Sequence, residues 1–137
     1  MYLVDTNVIS ELRNPRTADR NVAAWAAGVN QSLLYISIIS VMELEIGVRQ
    51  KERREIRQGQ NLRNWLENQV LPAFSGRILT VDLEIARRCA ALHCPDPRPL
   101  GDALIAATAL VHGMTVVTRD VKDFGPTGVS LLNPWEL

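Results

Sequence analysis

Tyr2-Leu3-Val4-Asp5-Thr6-Asn7-Val8-Ile9-Ser10 is the stretch on which the fold turns. Three apolar residues stop at an acid followed by two small polar side chains. Asp5 or Thr6 suits a helix N-cap, where a side-chain oxygen accepts a free backbone N–H. Val8, Ile9 and Leu12 then recur at helical spacing, and Asn14-Pro15 closes the helix. The segment therefore reads as a very short strand that passes directly into a helix.

The same alternation continues along the chain. A second short helix is expected over Arg20–Ala27, with Val22, Trp25 and Ala26 on its apolar side, and a buried strand over 33–37. Ser40 suits the next N-cap, with Glu43 at capping-box spacing, and that helix runs through Leu44, Ile46 and Val48 to about Gln50. The charged stretch 49–57 reads as a solvated helix face. It leads into a helix bearing Leu62, Trp65, Leu66 and Val70, which Pro72 brings to a close. A strand is expected at 77–80, and Asp82 then caps a helix with Ile85, Ala86, Cys89 and Leu92 on one face. Three prolines in Pro95-Asp96-Pro97-Arg98-Pro99 exclude helix there. Asp102–His112 is an alanine-rich helix with Gly113 as its C-terminal cap. Strands at 115–118 and 129–132 complete the series. Short strands separated by helices predict an α/β fold, a three-layer α/β/α sandwich around a short, mainly parallel sheet. One domain spanning 1–137 is expected, without repeats or linkers.

Bulk properties narrow the class. A 137-residue chain with 47% hydrophobic and 22% charged residues reads as an ordinary soluble globular protein. Fifteen basic residues balance fifteen acidic ones, so no global basic field announces a nucleic-acid binder, although a local basic rim is compatible with this balance. No apolar run approaches the roughly 20 residues that span a bilayer. The N-terminus lacks a basic lead followed by an apolar core, so a cytoplasmic protein is expected. Cys89 and Cys94 flank His93, but a zinc site needs more ligands than His112 alone can add. They read as reduced thiols, with Cys89 on a buried helical face.

The informative residues are acids. Asp5 and Asp120 follow apolar strand-like runs, Glu43 opens a helical stretch just past one, and Asp102 begins an alanine-rich helix. Each has a structural explanation when taken singly: N-cap, capping box, helix dipole or turn. Together they point to the crevice at the carboxyl ends of a parallel sheet, the usual binding site of such folds. Fold-level reasoning alone leaves Asp102 unplaced there. Acids gathered in one crevice repel one another and cannot all stay ionised without a cation. All-oxygen ligands favour hard Mg²⁺ or Mn²⁺. Thr6, Asn7, Ser40 and Thr118 lie beside the acids in sequence and suit orienting roles. An acidic cleft repels phosphates, so a nucleic-acid substrate would need basic neighbours, for which Arg13, Arg16, Arg49, Arg53, Arg54, Arg98 and Arg119 are candidates.

Four segments, Leu3–Ser10, Ser40–Gly47, Asp102–Ala109 and Val117–Phe124, closely resemble a PIN domain in composition and order. They are similar in particular to the VapC toxins of toxin–antitoxin pairs, including the FitB-like branch, which the closing Asn133-Pro134-Trp135 also resembles. The resemblance implies a Mg²⁺-dependent endoribonuclease, with Mn²⁺ as an alternative ion, acting on tRNA or other structured RNA. It implies inhibition by a VapB-type antitoxin, a homodimer, and promoter DNA contacted only through the antitoxin. Apolar helix faces around 44–70 are candidate contacts between copies. Carried over by position, Asp5, Glu43, Asp102 and Asp120 match the catalytic acids, with Asp5, Asp102 and Asp120 as metal ligands. Thr6, Asn7 and Thr118 match their polar neighbours. Asp123 is also an acidic position of the family, which leaves open whether it or Asp120 is the fourth acid at the metal.

Two rivals stand beside this reading. A phosphatase using Asp5 as nucleophile resembles haloacid-dehalogenase chemistry, but that pattern starts Asp-x-Asp and Asn7 occupies the second position. The other rival is a non-catalytic binding module acting within an antitoxin–DNA complex that represses transcription.

Overall fold

Five strands form the sheet in the computed structural model, which describes residues 1–137: β1 (Tyr2–Val4), β2 (Leu34–Ser37), β3 (Ile78–Leu79), β4 (Thr115–Val117) and β5 (Leu131–Leu132). Their order is β3-β2-β1-β4-β5, and every neighbouring pair runs parallel. The expected mainly parallel sheet is thus wholly parallel. Strand order reverses beside β1, and ligands of open α/β sheets bind outside the carboxyl ends at such a point. Val4 pairs with Val117 in register, so β1 and β4 end level. The residues that follow, Asp5 and Thr118, emerge side by side, and the Asp5 N–H donates to the Val117 carbonyl at 2.9 Å.

Strand alternation sorts the core. Val4, Leu34, Ile36 and Val117 face one way, into a cluster completed by Val8, Ile9, Val22, Leu44, Val48, Leu66 and Val70. Leu3 and Val116 face the other way and pack with Ile105, Ala106, Ala109, Met114 and Phe124. Eight helical segments cover these faces: α1 (Thr6–Glu11), α2 (Arg20–Gly28), α3 (Ile38–Arg54), α4 (Ile56–Trp65), α5 (Leu71–Ala73), α6 (Leu83–Leu92), α7 (Leu100–His112) and α8 (Val121–Phe124). The small side chains of α7 let α6 pack closely, so that Ala103 and Ala107 meet Ile85 and Cys89 in a third cluster.

Several boundaries differ from the expected ones. α3 begins at Ile38, capped by Ser37, whose Oγ accepts the Ile39 N–H at 3.0 Å. Ser40 is therefore not the cap; it is fully buried and its Oγ has no partner. Glu43 consequently sits well inside the helix rather than in a capping box. α3 also continues to Arg54, past the expected end near Gln50. Glu45 accepts from Arg49 one turn on, and Arg63 of α4 donates to both Glu45 and Glu52. Gly59 permits that crossing, because a Cβ there would lie 2.4 Å from the Glu52 Cα. Near Pro72 the helix widens into a π-type turn, Leu66–Val70, and ends at Ala73.

The outer strands shrink to 78–79 and 131–132. Leu44, Val48, Leu66 and Val70 belong to the core rather than to a contact between copies. The apolar residues that α3 leaves exposed are Ile38, Met42 and Ile46, one turn apart. No helix is long and apolar enough to cross a membrane.

Candidate active site

Asp5 leaves β1 and caps α1, with Oδ1 accepting the Thr6 N–H at 2.8 Å. Its Oδ2 accepts the Thr118 hydroxyl at 2.7 Å, and only 5% of the residue is exposed. Thr118, fully buried just past β4, is the hub of the site. Its Oγ1 also accepts the Asp120 N–H at 2.9 Å and the Asn7 side-chain amide at 3.4 Å. The same amide donates to Asp120 Oδ2 at 3.2 Å. Thr6 reaches across to α3, donating its hydroxyl to Glu43 Oε1 at 2.6 Å. Of the four polar neighbours expected beside the acids, Thr6, Asn7 and Thr118 each touch one of them, whereas Ser40 does not.

These residues border one open cleft of about 500 Å³, lined by Asp5, Glu43, Asp102, Asp120 and four further polar residues, with no apolar side chain. Asp102 enters it from the first turn of α7, which starts at Leu100 because Pro97 and Pro99 hold the preceding loop extended. This settles the one acid that topology left unplaced. Asp123 lines a neighbouring hollow, whereas Asp120 faces the cleft. A separate apolar hollow of about 180 Å³ near Trp25, Leu34 and Trp65 contains no ionisable side chain and cannot perform acid–base chemistry.

The electrostatics are those of crowded carboxylates. Burial pushes the Asp102 carboxyl up to about 6, and the fields of Asp5, Asp123, Asp120 and Glu43 add to that rise. Burial also raises Asp5; the hydrogen bonds from Thr118 and Thr6 oppose the rise, and repulsion from Glu43 and Asp120 adds to it. As they stand, no three acids lie close enough together to enclose an ion. Donor chemistry nonetheless fits a hard cation, since every lining group offers oxygen and two acids resist ionising without positive charge nearby. Asn7 Oδ1, buried and without a partner, is a further oxygen at the cleft wall.

Three participants escape a reading by motif. Ser10 and Glu11 also line the cleft. They lie one helical turn beyond Thr6 and Asn7, so periodicity was the signal that could have found them. Gly101 meets Glu43 across the fold: a Cβ there would lie 3.3 Å from Glu43 Oε2. Only tertiary structure reveals that contact.

The candidate basic residues divide. Arg13 borders a hollow shared with Thr6 and Glu43, and Arg119 borders one shared with Asp120. Arg49 pairs with Glu45, Arg98 donates to the Leu92 carbonyl, and Arg16, Arg53 and Arg54 are exposed. The cysteines are free, Cys89 buried and Cys94 exposed, and burial raises the Cys89 thiol. His93 Nδ1 lies 2.9 Å from the Cys89 carbonyl oxygen.

Comparison with known proteins follows the same lines. The family model described as PIN domain matches residues 2–125. The chain is 42% identical to VapC ribonuclease Y4jK of Sinorhizobium fredii, over 99% of each protein. It is 38% identical to Toxin FitB of Neisseria gonorrhoeae, over 98% of this chain and 99% of that one. A solved structure of FitAB bound to an IR36 DNA fragment superposes with a TM-score of 0.88 at 35% identity, covering 100% of this chain and 97% of that one.

Proposed function

Because the chain belongs to the PIN-domain family, we propose that it is a metal-dependent endoribonuclease, the toxin of a VapBC-type toxin–antitoxin pair, built as one nuclease domain over 1–137. The observation that carries this reading is the cleft at the sheet's switch point, lined by Asp5, Glu43, Asp102 and Asp120 and by no apolar side chain. Mg²⁺ is the proposed cofactor, with Mn²⁺ able to use the same oxygen ligands. Asp5, Asp102 and Asp120 would hold it. Bound there, such an ion supplies Lewis acidity to a phosphate and lowers the pKa of a water.

The chain's own residues then do the positioning. Thr118 and Thr6 fix both oxygens of Asp5, leaving its carboxylate a single orientation. Glu43, held by Thr6, orients the attacking water and accepts its proton. Asn7 donates to the Asp120 carboxylate, and Thr118 accepts the Asp120 backbone N–H, which together hold that acid in place. Water attacks phosphorus in line, the bond to the leaving oxygen breaks, and that oxygen takes a proton from solvent. No covalent intermediate with the protein forms.

The proposed substrate is tRNA or another structured RNA, and the proposed regulator a cognate VapB-type antitoxin. Because the chain's formal charge is zero, promoter DNA contacts belong to the antitoxin. A homodimer is the proposed assembly, supported by the exposed apolar row Ile38, Met42 and Ile46, and the cytoplasm the proposed location. The test incubates the purified, antitoxin-free chain and its Asp5→Ala variant with total bacterial RNA, in Mg²⁺ and in EDTA. Discrete fragments that vanish with EDTA or with the substitution are expected. Wild-type activity in Asp5→Ala would overturn the site, and intact RNA in every lane from folded protein would favour a binding module.

A further inference from the structure

The Asn133-Pro134-Trp135 signature lies outside the acid cleft yet borders it. A second hollow, of about 610 Å³, shares Asp120 with the cleft and is lined also by Arg119, Lys122, Trp135 and the carboxylates Asp19, Asp123 and Glu136. With four acids around it, Arg119 would be expected to form an ion pair. It forms none: the ion pairs of the molecule join Arg49 and Arg63 to Glu45, Glu52 and Glu67. Instead its guanidinium carbon lies 5.2 Å from the centroid of the Trp135 ring. The backbone that carries this ring is fixed, the Trp135 main-chain N–H donating to Asn133 Oδ1 at 3.0 Å and its carbonyl accepting from the Asn21 side chain at 2.8 Å. The indole therefore keeps an exposed cation away from the surrounding carboxylates and leaves its donor fork free.

A polyanion lying along an acidic cleft needs such a cation at its flank. Resting on the ribonuclease reading, we infer that Arg119, braced by Trp135 and assisted by Lys122, holds a phosphate next to the scissile bond in an unpaired, single-stranded segment of the structured RNA. Arg119 is a binding residue in this scheme, and Trp135 a positioning residue that acts through it.

The experiment measures binding of a fluorescein-labelled, mixed-sequence single-stranded RNA oligonucleotide across a salt series. It is done in the Asp5→Asn background so that the RNA survives. One phosphate contact contributes about 0.7 to the slope of log K against log salt for single strands. Arg119→Ala should lower the slope by about that amount and weaken binding roughly tenfold at low salt, while Arg119→Lys should keep the slope. Trp135→Leu should weaken binding when Arg119 is present and add nothing in Arg119→Ala, a coupling that a purely structural tryptophan would not show. Should Trp135→Leu fail to fold, the two Arg119 variants decide alone. An unchanged slope in Arg119→Ala, with wild-type chain still cleaving total RNA, overturns this inference, spares the ribonuclease reading and leaves the hollow to a protein partner. A chain that neither binds nor cleaves RNA overturns both.

Discussion

Thr118 shows how much of the site one hydroxyl can organise. It is fully buried, donates to Asp5, and accepts from Asp120 and Asn7. Thr118→Val keeps the shape and removes every one of those bonds. A buried acid left without its donor costs about 1–3 kcal/mol. Urea unfolding should show a loss of that size, with RNA cleavage falling roughly tenfold; unchanged stability would mean that Asp5 finds another donor. Asp102 allows a second test, through pH. Its carboxyl titrates near 6 in the fold against an ordinary 3.8, so between those values the folded state binds more protons than the unfolded one. Stability must therefore fall as pH rises through that window, and the loss is complete above it. In EDTA, wild type should lose stability from about pH 4 to pH 6, and Asp102→Asn should lose less, by on the order of 1 kcal/mol after solvent screening. Equal slopes for the two proteins would show that Asp102 is not held protonated. At this scale the sequence was legible where an acid follows a strand directly, as Asp5 does. It was not legible where a contact is made across the fold, as Gly101 makes with Glu43.

At the scale of elements, short strands and the helices between them could be read from alternation, because Leu3/Val4 and Val116/Val117 face opposite cores. Strand order could not, since nothing local records which neighbour β1 chooses. The start of α3 misled for a specific reason. Ile36-Ser37-Ile38-Ile39-Ser40 offers two capping serines three residues apart, and the isoleucines suit a strand as well as a buried helical turn. Capping goes to Ser37. Ser37→Ala should then cost about 1 kcal/mol. Ser40→Ala should be neutral or slightly stabilising, because it removes a buried hydroxyl that has no partner. Thermal unfolding of the two variants side by side checks this, and the reverse ranking would place the cap at Ser40.

For the whole molecule, a formal charge of zero conceals an uneven distribution. Five carboxylates, those of Asp5, Glu11, Glu43, Asp102 and Asp120, share one cleft, while Arg63 and Arg49 are engaged with Glu45 and Glu52 of α3. Folding without a cation therefore works against repulsion that unfolding would relieve. A cation that binds the folded cleft must stabilise the whole chain by RT ln(1 + [L]/Kd), about 2.7 kcal/mol at a hundredfold excess over Kd. In a chain of this size each kcal/mol raises Tm by roughly 3–5 °C. Titrating Mg²⁺ into EDTA-stripped protein should thus raise Tm by several degrees, saturably, beyond any rise from NaCl at equal ionic strength. Asp5→Asn and Asp102→Asn should blunt that excess, because each removes one of the charges that draws the ion in. Sodium chloride matching magnesium degree for degree would mean that the acids are merely screened, and the cleft would not be a metal site.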